Sequence, residues 1–174
     1  SVSVRLGQLE DIGRAENGRV ALRAFVGQRS ASIGTTDLSD AALAELAERA
    51  VAMARLAPED RFAGLADAEL LATGALPELD LIDATEPAPE WLRDTALAAE
   101  DAARTPAGIT NSEGASASVG GGTIALATST GFRGGYRSSH VSVSASVIAA
   151  RDGQMERDYA WHHVRHPGEL ENPA

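Results

Sequence analysis

Hydrophobic and polar positions alternate from the first residues of the chain. Val2, Val4 and Leu6 alternate with Ser3 and Arg5, and Val20, Leu22, Ala24 and Val26 alternate with Ala21, Arg23 and Phe25. A period of two puts one set of side chains on a buried face, which predicts antiparallel strands. Between these runs lies Glu16-Asn17-Gly18-Arg19. Asn and Gly tolerate positive φ at both central positions of a type I′ turn, so this segment predicts a hairpin. Ser30 to Thr35 reads as the next strand of the same meander.

The period then changes to that of a helix. Leu43, Leu46, Ala50, Met53 and Ala57 fall on one face, and Glu45 and Arg49 form an i,i+4 pair on the other. Ser39 is a fitting N-cap, Asp40 suits the positive end of the helix dipole, and Pro58 ends the helix. From Phe62 to Glu90 the pattern lapses into an acidic segment punctuated by Pro77, Pro87 and Pro89, with a short helical turn expected around Asp67 to Thr73. A boundary near Ala84 to Ala88 divides an N-terminal subdomain, 1–84, from a central one, 85–174.

A second helix starts at Pro89, a residue suited to the first helical position. Leu92, Ala96, Ala99 and Ala103 share a face, Glu100 can pair with Arg104, and Pro106-Ala107-Gly108 stops it. A second β run follows. Ile109 to Val119 and Thr123 to Ser129 read as two strands with Gly120-Gly121-Gly122 turning between them. Tyr136 to Ala150 is a long strand with Val141, Val143, Ala145, Val147 and Ala149 on one face and Ser142, Ser144 and Ser146 on the other. Asp152-Gly153 turns it into Gln154 to His162, and a last helix is expected after Pro167. The fold class is α+β, with two antiparallel β-meanders and packed helices: β-meander, helix, linker, helix, β-meander. That order is compatible with an internal duplication of a helix-plus-meander unit.

Charge narrows the chemistry. The chain carries 25 acidic and 15 basic residues, a net charge of −10, and every basic residue is Arg. Such a chain repels a phosphate backbone, so direct nucleic-acid binding is disfavoured. There is no Cys, which removes disulfides, thiolate metal sites and thiol nucleophiles. No apolar run is long enough to span a membrane or to serve as a secretory signal. The chain opens without Met inside a strand and closes on Leu170-Glu171-Asn172-Pro173-Ala174, which resembles the approach to a helix N-terminus. Both edges read as those of a fragment of a longer protein.

Three groups of residues could carry chemistry. In Met155-Glu156-Arg157-Asp158-Tyr159, Glu156 and Asp158 would share one strand face about 7 Å apart, a spacing open to acid and base roles. A solvated charged face or an Arg–carboxylate brace explains the same residues more economically. His162, His163 and His166 invite a metal reading, since His162 and His166 have i,i+4 spacing. The Glu that follows the first His of such motifs is replaced by His163, and Pro167 opposes a helix, so an exposed cluster is the simpler reading. In Asn111-Ser112-Glu113-Gly114, Ser112 lacks a His base and a nucleophile elbow, which favours a bulged strand bent at Gly114. The Ser142, Ser144, Ser146 stripe is either a solvated face or a groove for an extended peptide added as a strand.

Taken in order, Ile109-Thr110-Asn111-Ser112-Glu113-Gly114, Gly131-Phe132 with Gly135-Tyr136, and Met155 to Tyr159 resemble the TldD/PmbA family, and within it the PmbA (TldE) branch. Val2 to Gly7 with Glu10, Thr36-Asp37-Leu38-Ser39, Ala63-Gly64-Leu65-Ala66-Asp67 and Leu79-Asp80-Leu81 extend the resemblance over nearly the whole chain. The resemblance implies a cytoplasmic, zinc-dependent peptidase of paired subunits that acts on unfolded peptides, including antibiotic-peptide precursors and antitoxins. An older family label is modulator of DNA gyrase. The His-Glu-x-x-x-His metal motif belongs to the TldD branch and does not occur in this chain. The resemblance thus implies a truncated PmbA-like subunit with no catalytic residue and no metal ligand of its own. Zinc is expected in a TldD-like partner, and dimerisation through β edges. Asn111, Glu113, Tyr136, Glu156, Arg157 and Asp158 are the candidates for a substrate or partner cleft. The competing expectation is a stand-alone acidic module that binds gyrase or an antitoxin.

Overall fold

The structure is a computed structural model and describes residues 1–75 and 77–172. Seven strands and two α-helices follow in the order β1 (Val2–Arg5), β2 (Gln8–Ile12), β3 (Val20–Val26), β4 (Arg29–Thr35), α1 (Asp40–Leu56), α2 (Pro89–Arg104), β5 (Ile109–Ala127), β6 (Arg133–Arg151) and β7 (Gln154–Val164). The fold is α+β with antiparallel sheets, as the patterning predicts. Five strands form one sheet in the order β2-β1-β5-β6-β7, and β3 and β4 form a separate hairpin. Two compact units result: residues 1–14, 75–126 and 133–174 in one, and 15–74 and 127–132 in the other.

In the smaller unit, α1 packs on the β3–β4 hairpin. The Ser39 hydroxyl accepts from the Ala42 N–H at 3.4 Å, capping the helix, and Glu45 meets Arg49 at 3.5 Å. The buried stripe is Leu46, Ala50 and Ala54, whereas Met53, expected inside, is 45% exposed. The i,i+4 spacing of the three buried residues lets a narrow, Ala-rich ridge approach the hairpin, and Met53 lies off that line. Arg29 closes the far end, its guanidinium donating to the Ala57 carbonyl at 2.9 Å. A 3₁₀ turn at Ala68–Leu70 falls where a short helical turn is expected.

In the larger unit, α2 buries Leu92, Ala96 and Ala99 against Val2, Val4, Ala115, Ala117 and Val143 of the sheet. Each strand thereby turns alternate residues to the helix and the rest away from it.

Four sequence expectations change. β1 and β2 do not continue into the β3–β4 meander, because β1 pairs with β2 on one side and β5 on the other. Asn17-Gly18 therefore joins strands of different sheets and forms no hairpin turn. The tight turn sits instead at Leu6-Gly7, with φ of 49° and 74°. Gly120-Gly121-Gly122 does not turn either: β5 runs through it for 19 residues. A Cβ on Gly120 would lie 2.6 Å from the His140 ring, and one on Gly121 would lie 2.9 Å from the Ser138 carbonyl oxygen. These glycines admit the neighbouring strand, and the chain reverses later, where Gly131 has φ of 100°. Finally, the helix expected after Pro167 is a single 3₁₀ turn, Pro167–Glu169. Pro173 and Ala174, where a helix approach is expected, lie outside the described residues. Asp152-Gly153 does turn as anticipated, with φ of 53° and 80° and Arg151 opposite Gln154. Among the described residues no helix is long and apolar enough to cross a membrane.

Candidate functional site

The sheet face turned away from α2 is paved with small hydroxyls. Ser116 meets Ser144 at 3.0 Å and Ser118 meets Ser142 at 2.8 Å across β5 and β6. The expected Ser142, Ser144, Ser146 stripe is thus half of a paired ladder. At one end of the ladder an open groove of about 540 Å³ is bordered by Glu10, Glu113, Ser146, Arg157 and Tyr159.

Glu113 and Arg157 come from different blocks of the sequence and meet on this face. The Arg157 guanidinium donates to both Glu113 carboxylate oxygens, at 3.3 and 3.2 Å. Ser146 Oγ donates to Glu113 Oε2 at 2.7 Å. That hydroxyl, set against partial desolvation and assisted by the charges of Arg157 and Arg5, holds the Glu113 carboxyl below its ordinary value. Arg157 keeps 65% of its side chain exposed and Glu113 keeps 35%, so the pair forms a wet rim able to exchange partners.

A local irregularity in β5 puts Glu113 there. Asn111 Oδ1 accepts from the Ser112 N–H at 2.8 Å, and Ser112 Oγ accepts from the Gly114 N–H at 2.9 Å. Gly114 has φ of 105°, and a Cβ on it would lie 2.6 Å from the Val4 carbonyl oxygen. Only glycine suits that conformation and that approach. Ser112 consequently points into the core while Glu113 reaches the open groove.

Beneath this bend lies Glu100, which is fully buried and does not pair on the surface with Arg104 as its spacing suggests. Its Oε1 accepts from the Leu6 N–H at 2.7 Å and from Ser112 Oγ at 2.5 Å, and its Oε2 accepts from the Gly7 N–H at 2.8 Å. Burial pushes its pKa up, but the Ser112, Gly7 and Leu6 hydrogen bonds and the Arg104 charge together outweigh that and lower it. One carboxylate thus ties α2, the β1–β2 turn and the Asn111 to Gly114 segment together.

The other expected residues are placed elsewhere. Glu156 and Asp158 lie opposite Ala149 and Val147, on the strand face away from Arg157, and both are exposed. The Asp158 carboxylate accepts from the N–H of its neighbour Tyr159, at 2.8 Å. Alternation therefore separates the two carboxylates from the groove, and Arg157 braces distant Glu113 rather than either of them. Asn111 borders a smaller depression with Arg104 and Thr105, and Tyr136 lies along β6 toward Arg133 with half its surface exposed. The sequence reading missed Glu10, Ser116 and Tyr159 at the groove and Glu100 beneath it. Tyr159, two residues from Arg157 and so on its face, and Ser116, alternating with Ala115 and Ala117, carried a periodic signal.

The resemblance places zinc in a TldD-like partner, and the histidines near the end of this chain do not converge on a common point. His162 and His163 point to opposite faces of β7. His162 Nδ1 accepts from the Glu171 N–H at 3.1 Å, and His163 stacks on His140 with centroids 5.3 Å apart. His166 is engaged by Asp80 and Asp83. Among the described residues no group of three or more His, Cys, Asp or Glu is gathered to hold a metal ion.

Comparison with known proteins gives a consistent picture. The PmbA/TldA metallopeptidase central domain matches residues 82–174, and domain 1 of the same metallopeptidases matches residues 1–54. The chain is 38% identical over 174 residues to the metalloprotease PmbA of Escherichia coli O157:H7, covering 99% of the chain and 38% of that relative. It is 34% identical to a metalloprotease PmbA homolog of Haemophilus influenzae, with the same coverage. The chain therefore spans less than half the length of these relatives. Among solved structures, a protein described as a candidate modulator of DNA gyrase from Bacteroides thetaiotaomicron superposes with a TM-score of 0.85 at 23% identity, covering 98% of this chain and 39% of that one. TldE from Thermococcus kodakarensis superposes with a TM-score of 0.71 at 15% identity, covering 95% and 37%. At these identities the two structures speak for the fold.

Proposed function

We infer function from family: this chain belongs to the PmbA/TldD metallopeptidases, in the PmbA/TldE branch. We propose that it is the non-catalytic half of a two-subunit peptidase. In this reading it is part of a longer cytoplasmic protein, presents the serine-paved groove to an extended peptide, and relies on a TldD-like partner for zinc. The observation that carries the proposal is the pairing of an open polar groove with imidazoles that diverge. A hydroxyl ladder offers both donors and acceptors to a peptide backbone, and β7, hydrogen-bonded only to β6 among the described strands, offers an edge for strand addition. Glu113 and Arg157, at the rim, would contact the peptide or the partner.

The test is to purify the intact protein alone and together with a TldD-like subunit. Zinc content and cleavage of an unfolded peptide are then measured for each. The expected result is cleavage only by the pair, with stoichiometric zinc in the partner. Metal-dependent cleavage by the protein alone, abolished by a substitution inside residues 1–174, would overturn the proposal.

The net charge of −10 favours one competing reading, an acidic module that binds gyrase or an antitoxin directly. It requires a complex that forms without a TldD-like subunit and weakens as salt screens the charge. Failure to capture either target at low salt removes it.

A further inference from the structure

Segment Leu79-Asp80-Leu81 is one of the blocks that carry the family resemblance, yet it lies outside the groove. The structure gives it a different task. β7 stops pairing with β6 at Val164, opposite Val141, which leaves the N–H of Ser139 without a strand partner on that side. The linker takes that place. The Ser139 N–H donates to the Leu81 carbonyl at 2.9 Å, and the Asp83 N–H donates to Ser139 Oγ at 2.7 Å. Ser139 Oγ in turn donates to the Arg165 carbonyl at 3.1 Å. A short stretch of linker thus continues the sheet where β7 leaves it.

His166 stands over this junction. Its Nε2 lies 3.1 Å from the Asp80 carbonyl oxygen and 3.6 Å from an Asp80 carboxylate oxygen. Its Nδ1 lies 3.4 Å from Asp83 Oδ2. Both ring nitrogens therefore face acceptors. A neutral imidazole has one N–H and one lone pair, so one nitrogen would oppose an oxygen lone pair. Only the imidazolium supplies a donor to each side.

We propose that His166 is a proton-controlled clasp: as imidazolium it holds Asp80–Asp83 against the end of β6, and as neutral imidazole it lets the linker go. The groups facing it are Asp80, Asp83 and Glu169 on the acidic side, with Arg165 adjacent and turned to the Ser139 carbonyl. The Asp83 carboxyl is held below its ordinary value, first by the Thr85 N–H that donates to it, so it remains ionised while His166 titrates. The imidazole is shifted above 6.5, chiefly by its bond to the Asp80 carbonyl and against partial burial. The sign follows directly. A group with a raised folded pKa contributes fully at pH below the unfolded value and loses its contribution as pH rises through the folded one. The linker is held in mild acid and released toward alkaline pH. This device is independent of the peptidase reading.

The experiment is hydrogen–deuterium exchange with mass spectrometry on the intact protein between about pH 5 and pH 8, where histidine changes charge. Exchange at the His166 ring carbon reports its pKa, and backbone protection at Ser139 and Asp83 reports the clasp. The expected result is a pKa above 6.5 that falls in Asp83→Asn, with several-fold loss of protection at both amides as wild type passes through it. In His166→Gln, protection should be low and independent of pH. If that variant does not fold, the wild-type titration decides alone. A His166 pKa at or below 6.5, or protection unchanged across its titration, would overturn the proposal.

Discussion

Replacing Glu100 by Gln should cost far more than a one-atom change suggests. Three donors converge on the carboxylate: the Leu6 N–H and the Ser112 hydroxyl on one oxygen, the Gly7 N–H on the other. An amide has a single oxygen, so its NH₂ must oppose a backbone N–H at Leu6 or Gly7. Leaving that N–H unsatisfied in a fully buried site costs about 1–3 kcal/mol, and each surviving bond loses about 1 kcal/mol of charge assistance. With two bonds surviving, the sum for Glu100→Gln is at least about 3 kcal/mol. Glu100→Ala orphans every donor and leaves a cavity, so it should exceed about 4 kcal/mol. Denaturant unfolding of the intact protein measures the totals, and amide exchange at Leu6 and Gly7 shows whether the β1–β2 turn opens first. The pH dependence separates charge from packing. The folded pKa of Glu100 lies below 4.5, so its contribution is complete above 4.5 and is lost as pH falls through the folded value. Wild type should lose its advantage over Glu100→Gln in acid. If both variants lie within about 0.5 kcal/mol of wild type, in the range of ordinary surface substitutions, the carboxylate is not the tie described here.

Gly114→Ala should destabilise by about 2 kcal/mol or more, from positive φ and the 2.6 Å approach of the Val4 carbonyl oxygen; a melting temperature equal to wild type would contradict this. Arg157→Ala should leave the melting temperature unchanged, because the ion pair is exposed, while weakening peptide binding or partner-dependent cleavage, read by titration. Gly121→Val should disrupt the β5–β6 pairing near Ser138, since a Cβ there meets backbone 2.9 Å away, and amide exchange along β6 would register it. Gly153→Ala should cost about 1 kcal/mol through its φ of 80°, read as a shift in the denaturation midpoint.

The helices were legible because their signals are local. Ser39, Pro58 and Pro89 mark ends, and the spacing of Leu92, Ala96 and Ala99 marks a face, whatever the rest of the chain does. Turn signals proved less transferable. Asp152-Gly153 and Asn17-Gly18 look alike in sequence, but a turn dipeptide states what the backbone tolerates and not which strands will meet. The actual Leu6-Gly7 turn places Leu at positive φ, a choice that local preference argues against. The Glu100 carboxylate offsets it by binding both turn N–H groups, a partner 94 residues from Leu6 that no local pattern reveals. The candidate groove was half legible. Glu113, Arg157 and the serine stripe stood out, whereas their assembly depends on the register of β5, β6 and β7. Glu156 and Asp158 stood out equally, and alternation alone turned them away.

The serine ladder carries a consequence for selectivity. A Ser side chain has little rotational freedom to lose, so covering this face costs far less ordering entropy than covering one of Lys, Glu or Gln would. Its hydroxyls also pair with one another across the strands, which leaves few rigid demands on a visitor. If a peptide lies on this face, as proposed, the ladder would meet its repeating amide groups and place little demand on its side chains. Under that proposal the groove would receive many sequences in turn and retain none of them for long.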